Sequence, residues 1–175
     1  MKKEDFVKIA ELSLVLVVSS AMYIYGLLKY FQFDNQSDIT KSVSELTGME
    51  LMWAFYGYSK PYAVLLGILE IMGGTLLLIR KTRIIGGLFL TGILMNVIAQ
   101  DFFYSVNEGA LRAAILYQVM IFAILWMNRF ELIAGTKAML LKGRQTEIGQ
   151  KNVLLVLISI LIAILLKFLE YKLCH

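Results

Sequence analysis

The stretch Pro61–Arg83, PYAVLLGILEIMGGTLLLIRKTR, decides the class of this protein. The run from residue 61 to residue 79 is apolar at nearly every position, and as a helix it would reach about 28 Å, close to the hydrocarbon thickness of a bilayer. A proline opens the run, where its missing N–H costs little, and basic residues follow it. The pattern predicts a transmembrane helix.

Glu70 stands at the middle of this predicted span, nine residues from either end. A carboxyl group at that depth costs at least about 2.5 kcal/mol, so its side chain should face protein or water. Two states are open. Glu70 could be neutral and donate a hydrogen bond to Asn96 or Gln118, or it could be ionised and paired with Lys29 or Arg112.

The composition agrees with a membrane protein, since 59% of the 175 residues are hydrophobic. A single cysteine and a single histidine, Cys174 and His175, leave no Cys/His set for a disulfide, a metal site or a covalently bound cofactor. The net charge of +4 is better explained by membrane topology than by nucleic-acid binding, because the basic residues are concentrated in a few segments.

The same criteria predict an all-α integral membrane protein with one domain, a four-helix antiparallel core and a fifth C-terminal transmembrane helix packed outside it. The predicted spans are 10–30, 61–79, 84–103, 109–127 and 153–170. The first span could instead be a cleaved signal peptide, but Glu4, Asp5 and Glu11 precede or enter its apolar run, which favours a retained helix. Within the third span, Gly87 and Thr91 form a small-xxx-small pattern that would let a neighbouring helix approach closely.

Residues 31–60 form an external connection whose second half has helical character. Ser42 with Glu45 and Thr47 with Glu50 are candidate capping boxes. Apolar residues then recur at helical spacing: Val43, Leu46, Met49, Trp53 and Tyr56. The pattern predicts an amphipathic helix at the membrane interface, acting either as an anchor or as a lid over the mouth of the bundle.

Positive charges predict the orientation. Segments assigned to the cytoplasm carry eleven Lys or Arg residues, three of them before the first span, three between spans two and three, and five in the basic segment 128–152. The two external connections and the helix ends beside them carry four, Lys29, Lys41, Lys60 and Arg112, and the last span and tail add Lys167 and Lys172. This bias places the N-terminus in the cytoplasm and the C-terminus outside a bacterial inner membrane.

Polar residues of the first four predicted spans fall at two depths. Ser19, Ser20, Glu70, Asn96 and Gln118 lie near the middle, where they either bond helices together or form the floor of a pocket. A second level lies further outward. The candidate ligand-binding residues from both levels are Tyr25, Lys29, Glu70, Asn96, Gln100, Asp101, Tyr104, Arg112 and Gln118.

Three motifs resemble the DoxX-like family of small membrane proteins: Gly26-Leu27-Leu28-Lys29, the run LEIMGGTLLL at 69–78, and Ile85-Gly86-Gly87 after a basic turn. The resemblance covers about Leu12 to Asn128. It implies a four-helix bundle in which Glu70 and Lys29 carry the family signature. Some members of the family are membrane subunits of quinone-linked sulfur oxidoreductases or thiol-redox complexes, and relatives in animals assist receptor assembly.

Three functions follow as hypotheses. The first is an accessory subunit that binds a quinone or another lipophilic small molecule for a redox protein partner. The second is a membrane-protein assembly factor without catalysis. The third is a small transporter, or an enzyme that acts alone.

Overall fold

The computed structural model describes residues 3–33, 41–143 and 150–174, and the regular structure in these ranges is entirely helical. Residues 34–40 of the predicted external connection and residues 144–149 of the basic segment lie outside the described ranges. The elements are α1 (Lys3–Gln32), a 3-10 turn (Val43–Glu45), α2 (Gly48–Tyr58), α3 (Lys60–Leu78), α4 (Arg83–Phe103), α5 (Glu108–Met127), α6 (Arg129–Gly143) and α7 (Gln150–Cys174). The predicted all-α class is therefore confirmed.

Four helices, α1, α3, α4 and α5, are long and apolar enough to cross a membrane. The shortest, α3, has 19 residues, which corresponds to about 28 Å of helix. In α7 the described apolar stretch, Val153–Phe168, is shorter than the other four. The predicted fifth span therefore stays a prediction.

The described chain divides into two compact units, 1–132 and 133–175. In the first unit, α1 contacts α3 and α5, and α4 contacts the same two helices. The side chains between these four helices are aliphatic and almost inaccessible to solvent, among them Val15, Val18, Leu77, Leu90 and Ile121. The second unit contains the remainder of α6 and the whole of α7, in which the Ser159 hydroxyl donates to the Leu155 carbonyl of its own helix.

Glycines allow α1 and α3 to approach closely. A Cβ atom placed on Gly26 would lie 2.6 Å from the carbonyl oxygen of Gly67, so neither helix could carry a side chain there without moving apart. Further along the same interface, the Ser19 hydroxyl donates to the Gly74 carbonyl at 3.0 Å. The predicted polar level thus includes a hydrogen bond that joins two helices.

The α4 glycines face two different neighbours. Gly87 faces the side chain of Leu125, to which a Cβ atom would come within 3.0 Å. The closest backbone approach is at the adjacent Gly86, which lies against the α3 backbone at Leu76 and Leu77. Gly87, the glycine of the predicted small-residue pattern, therefore faces a side chain of α5, and the close backbone contact with α3 is made by Gly86.

Arg83 was counted in the sequence as a topological charge, yet the structure buries it. Its Nη1 donates to Glu11 Oε1 at 2.8 Å, and its Nε donates to the Leu77 carbonyl. Asn128 Nδ2 donates to the same Glu11 oxygen at 2.8 Å. This network connects α1, α4 and the end of α5, and it satisfies a carboxylate that would otherwise be costly in an apolar environment.

Candidate functional site

The first unit encloses a cavity of about 170 Å³ that is bordered by residues of α1, α2, α3, α4 and α5. Most of its described lining is apolar or aromatic. The charged and amide side chains around it are Lys29, Gln32, Glu70, Asn96, Gln100, Asp101 and Asn107. An apolar wall with a few convergent polar groups is the usual composition of a small-molecule site.

An ion pair between α1 and α3 forms part of the cavity wall. Lys29 Nζ lies 3.2 Å from Glu70 Oε1, and the two side chains are 15% and 6% exposed. Gly26 and Gly67 each precede a member of the pair by three residues, and a Cβ atom on Gly67 would lie 3.3 Å from the Lys29 Cβ. The close approach of two glycine-bearing helices is therefore what brings the pair together.

The ion pair uses only one of the Glu70 oxygens. Among the described residues no donor reaches Glu70 Oε2, although the atom is buried. Asp101 Oδ2, near the end of α4, is likewise buried and has no hydrogen-bond partner in the described part of the chain. Two carboxyl groups with open acceptor atoms thus border one cavity with a single described cation, Lys29.

Tyr56 connects α2 to the site. Its hydroxyl donates to Gln100 Oε1 at 2.6 Å. Burial raises the pKa of the Tyr56 phenol above its ordinary value of 10, so the group stays neutral and keeps its proton at physiological pH. This bond occupies the Tyr56 donor and holds the aromatic face of α2 against α4.

Aromatic rings of α2 and of Phe33, which directly follows α1, form the adjacent wall. Phe33 stacks on Tyr56 with 4.9 Å between ring centroids, and Trp53 meets Phe33 edge-on at 5.3 Å. Across the cavity lining, Tyr25 and Tyr117 make a further edge-on contact at 6.2 Å. These rings offer flat apolar surfaces to a planar ligand.

The amphipathic stretch differs from its predicted form. Thr47 caps α2, with its backbone N–H donating to Glu50 Oε2 and its hydroxyl accepting from the Glu50 N–H, so this capping box is confirmed. The helix begins only at Gly48, directly after this cap, and the Gly48 backbone lies against the Tyr104 carbonyl, where a side chain would not fit. Val43 precedes the helix and is exposed. The α-helix is therefore shorter than predicted, since Val43 and Leu46 of the stripe precede it.

Met52, Trp53 and Tyr56 are the residues of α2 that face the cavity. Of these, Trp53 and Tyr56 belonged to the predicted stripe and Met52 adjoined it. Tyr58, at the end of α2, is 92% exposed. The lining favours the lid interpretation, whereas the position of α2 at a membrane interface stays a prediction.

Six of the nine residues predicted as a binding site border the cavity: Tyr25, Lys29, Glu70, Asn96, Gln100 and Asp101. Their role in binding a ligand stays a prediction. Sequence reasoning missed Gln32, Phe33 and Asn107, which also border the cavity. Phe33 and Asn107 lie just beyond helix ends, where helical periodicity gives no direction for a side chain.

Three predicted residues are not part of the described cavity lining. Gln118 is buried, but its Nε2 donates to Thr91 Oγ1 at 3.2 Å instead of reaching Glu70. Of the two cations considered as partners of Glu70, Lys29 forms the pair, whereas Arg112 pairs with Glu108 at 2.7 Å, one turn away on an exposed face of α5.

Tyr104 is the third of these residues. It follows the last residue of α4 and is 45% exposed. Positions four residues apart drift by about 40° around a helix, so a stripe that includes Asn96 and Gln100 turns away by residue 104.

Comparison with known proteins finds a relative in Bacillus subtilis. The chain is 29% identical over 111 residues to the uncharacterized protein YwoB of Bacillus subtilis (strain 168), and the match covers 61% of this chain and 69% of YwoB. No family model matches the chain. No solved structure matches it. The resemblance to the DoxX-like family therefore stays a prediction, and the site has to be interpreted from its own geometry.

Proposed function

We propose that this chain is an integral protein of the bacterial inner membrane that binds a quinone or a similar lipophilic ring compound as an accessory subunit of a redox partner. The observation that carries the proposal is the Lys29–Glu70 ion pair, buried in the wall of a cavity with aromatic sides. An ion pair inside a membrane is costly, and such groups typically mark a ligand or ion pathway.

The size of the cavity supports a ring-shaped ligand. An apolar cavity of about 150 Å³ is sufficient to bind benzene. The cavity of about 170 Å³ is therefore suited to one substituted ring, while a hydrocarbon tail would extend beyond it. A ring oxygen could accept a hydrogen bond from the Lys29 ammonium, which has three protons and contacts Glu70 with one face.

Helix arrangement and charge distribution support the membrane placement. In this proposal α1, α3, α4 and α5 form an antiparallel four-helix bundle, α2 lies at the outer interface as a lid, and α7 crosses the membrane outside the bundle. The segments assigned to the cytoplasm carry eleven basic residues and the external connections with their helix ends carry four, and this bias favours a cytoplasmic N-terminus and an external C-terminus. Reporter fusions should place the termini on opposite sides, and a common side for both would refute this topology.

An accessory role is favoured over independent thiol catalysis because the chain has one cysteine, which cannot form a dithiol within one molecule. The resemblance to DoxX-like proteins points the same way, since Lys29 and Glu70, which carry it, are the residues of the buried pair. The redox chemistry itself is assigned to the partner.

The first test is identification of a co-purified compound. The full chain is purified in mild detergent, extracted with organic solvent and analysed by mass spectrometry. We expect a quinone at a substantial fraction of the protein concentration. Purification with a stoichiometric membrane-protein partner and no lipophilic ring compound would contradict the proposal and favour an assembly factor.

A second measurement locates the ligand. The chain has two tryptophans, Trp53 beside the cavity and Trp126, which is 70% exposed. A Trp126→Phe protein retains the cavity reporter, and a matched Trp53→Phe protein retains the distant one. Added quinone should quench the first protein saturably and the second only linearly. Linear quenching in both proteins would contradict binding in this cavity.

A further inference from the structure

Helices α1 and α5 are packed together in one half of the bundle and border the cavity in the other. Near the beginning of α1 the two helices are joined, because Asn128 Nδ2 donates to Glu11 Oε1 at 2.8 Å. In the same half, Val15 of α1 and Ile121 of α5 belong to one apolar cluster and are inaccessible to solvent. Toward the end of α1, residues of both helices border the cavity instead.

The side of the cavity between α1 and α5 is also its most exposed side. Five residues of the described lining are exposed: Tyr25, Gln32, Asn96, Asn107 and Ala110. All of these except Asn96 belong to α1, to α5 or to the N-cap of α5. Tyr25 borders the cavity and is nevertheless 42% exposed. This side of the cavity is therefore the one nearest to the exterior of the bundle.

Three other sides of the cavity are held together by close contacts. Between α1 and α3, a Cβ atom on Gly26 would lie 2.6 Å from an α3 carbonyl oxygen. The hydrogen bond from Tyr56 to Gln100 fixes α2 on α4, and the hydrogen bond from Gln118 to Thr91 connects α5 to α4. A hydrocarbon chain that left the cavity on one of these sides would have to separate two helices or break an interhelical hydrogen bond.

The wall between α1 and α5 consists of two tyrosines and two alanines, Tyr25, Ala110, Ala113 and Tyr117, which we call the α1–α5 slot. The two tyrosines meet edge-on with 6.2 Å between ring centroids, and the alanine side chains end at Cβ. Tyr117 lies nine residues after the first residue of α5, so the slot extends about 14 Å along the helix, roughly half of the hydrocarbon core of a bilayer. In the membrane placement proposed above, the slot therefore faces lipid acyl chains.

We infer that the site takes a ring compound with a hydrocarbon tail, and that the tail passes through the α1–α5 slot into the bilayer. This inference rests on the proposed function and adds the tail of the ligand and the path that the tail follows. A cavity of about 170 Å³ holds one substituted ring, so a tail has to lie outside it. In the slot each CH₂ group stays among apolar side chains and acyl chains, which avoids the cost of exposing it to water.

The first experiment compares the tail-free benzoquinone ring with the same ring carrying a decyl chain. Binding of each compound to the Trp126→Phe protein is measured in one detergent by quenching of Trp53, which borders the cavity. Ala113→Leu in this background fills part of the slot, and overpacking by one such side chain is sufficient to weaken binding about 10-fold. We expect the decyl compound to lose at least about 10-fold in affinity relative to the tail-free ring, whose binding should stay as in the parent.

The ratio of the two affinities is compared between proteins, because partitioning of each compound into detergent is then the same and cancels. The matched control is Ala123→Leu, which enlarges another half-buried alanine of α5 outside the described cavity lining and should leave the ratio unchanged. An unchanged ratio in Ala113→Leu, or an equal fall in both variants, would overturn the inference while leaving the proposed function intact. Failure of both compounds to bind the parent would overturn both.

A second experiment uses the unsubstituted full chain, so it remains decisive even if Ala113→Leu fails to fold. The decyl chain carries a diazirine group, the complex is irradiated in detergent, and labelled peptides are identified by mass spectrometry. We expect labels on α1 and α5 that an excess of the tail-free ring removes. Removable labels confined to α2, α3 or α4, or the absence of removable labels, would overturn the inference.

Discussion

Replacement of Lys29 by methionine is the most direct test of the buried pair. Met keeps most of the length and apolar surface of Lys but cannot compensate the charge of Glu70, whose side chain is 6% exposed. Removal of one partner of a buried pair costs about 3–5 kcal/mol. We expect about 3 kcal/mol, the lower end of that range, because the Lys29 side chain is 15% exposed and borders a cavity that can admit water.

The reciprocal change should be milder. Glu70→Gln leaves Lys29 without its partner, but a lysine in the last turn of α1 can extend toward water. Its cost should be about 1.5 kcal/mol, the lower end of the range for a hydrogen bond to a charged group. Lys29→Met combined with Glu70→Gln removes both charges, and its cost should be close to that of Glu70→Gln alone. The expected coupling energy is therefore about 3 kcal/mol.

The measurement is reversible unfolding of the four proteins in mixed micelles, followed by circular dichroism. Additive losses in the double variant, or a Lys29→Met protein as stable as the parent at pH 7, would refute the assignment of a coupled buried pair.

Two further predictions concern packing and capping. Gly67→Ala places a methyl group against the Gly26 carbonyl and should lower the free energy of unfolding by about 1–3 kcal/mol. The control is Gly92→Ala, whose methyl group would meet nothing within 4 Å and should not destabilise the protein. Equal thermal stabilities of the two variants would contradict the close approach of α1 and α3. The hydrogen bond from Lys41 lowers the pKa of Glu50 to about 2, below its ordinary value of 4.5. Its stabilisation of the first turn of α2 is therefore complete above pH 4.5 and lost as pH falls through about 2. Amide protection factors there, which are corrected for the intrinsic pH dependence of exchange, should fall over that interval in the parent but not in Glu50→Gln.

The spans of α3, α4 and α5 could be predicted from sequence to within one or two residues. The span predicted at 61–79 corresponds to Lys60–Leu78, because a proline and a basic turn mark its ends. Burial of Glu70 could also be predicted, since lipid cannot accommodate a charge at that depth. Both inferences depend on the bilayer acting as a uniform solvent, which makes local sequence informative.

Contacts between distant segments could not be predicted in the same way. Tyr56 and Gln100 are 44 residues apart, and nothing in either segment specifies the other. Charge counting placed Arg83 at a membrane surface, and the ion pair with Glu11 is visible only after α1 and α4 are packed together. Arg112 was assigned to the site by depth alone, but a carboxylate four residues away on the same helix is an easier partner.

Polar groups buried in this protein fall into two kinds, and the difference identifies the site better than polarity itself. The Glu11 carboxylate is saturated by Arg83 and Asn128, so it has a complete structural role within the fold. Gln118 also has a buried oxygen without a partner among the described residues, yet it does not border the described cavity, so no ligand can complete it there. Glu70 differs from both, because it has a buried acceptor without a described partner and also belongs to the cavity lining. An incomplete hydrogen-bond set on a residue that lines a cavity is therefore a better criterion for a candidate site than polarity alone.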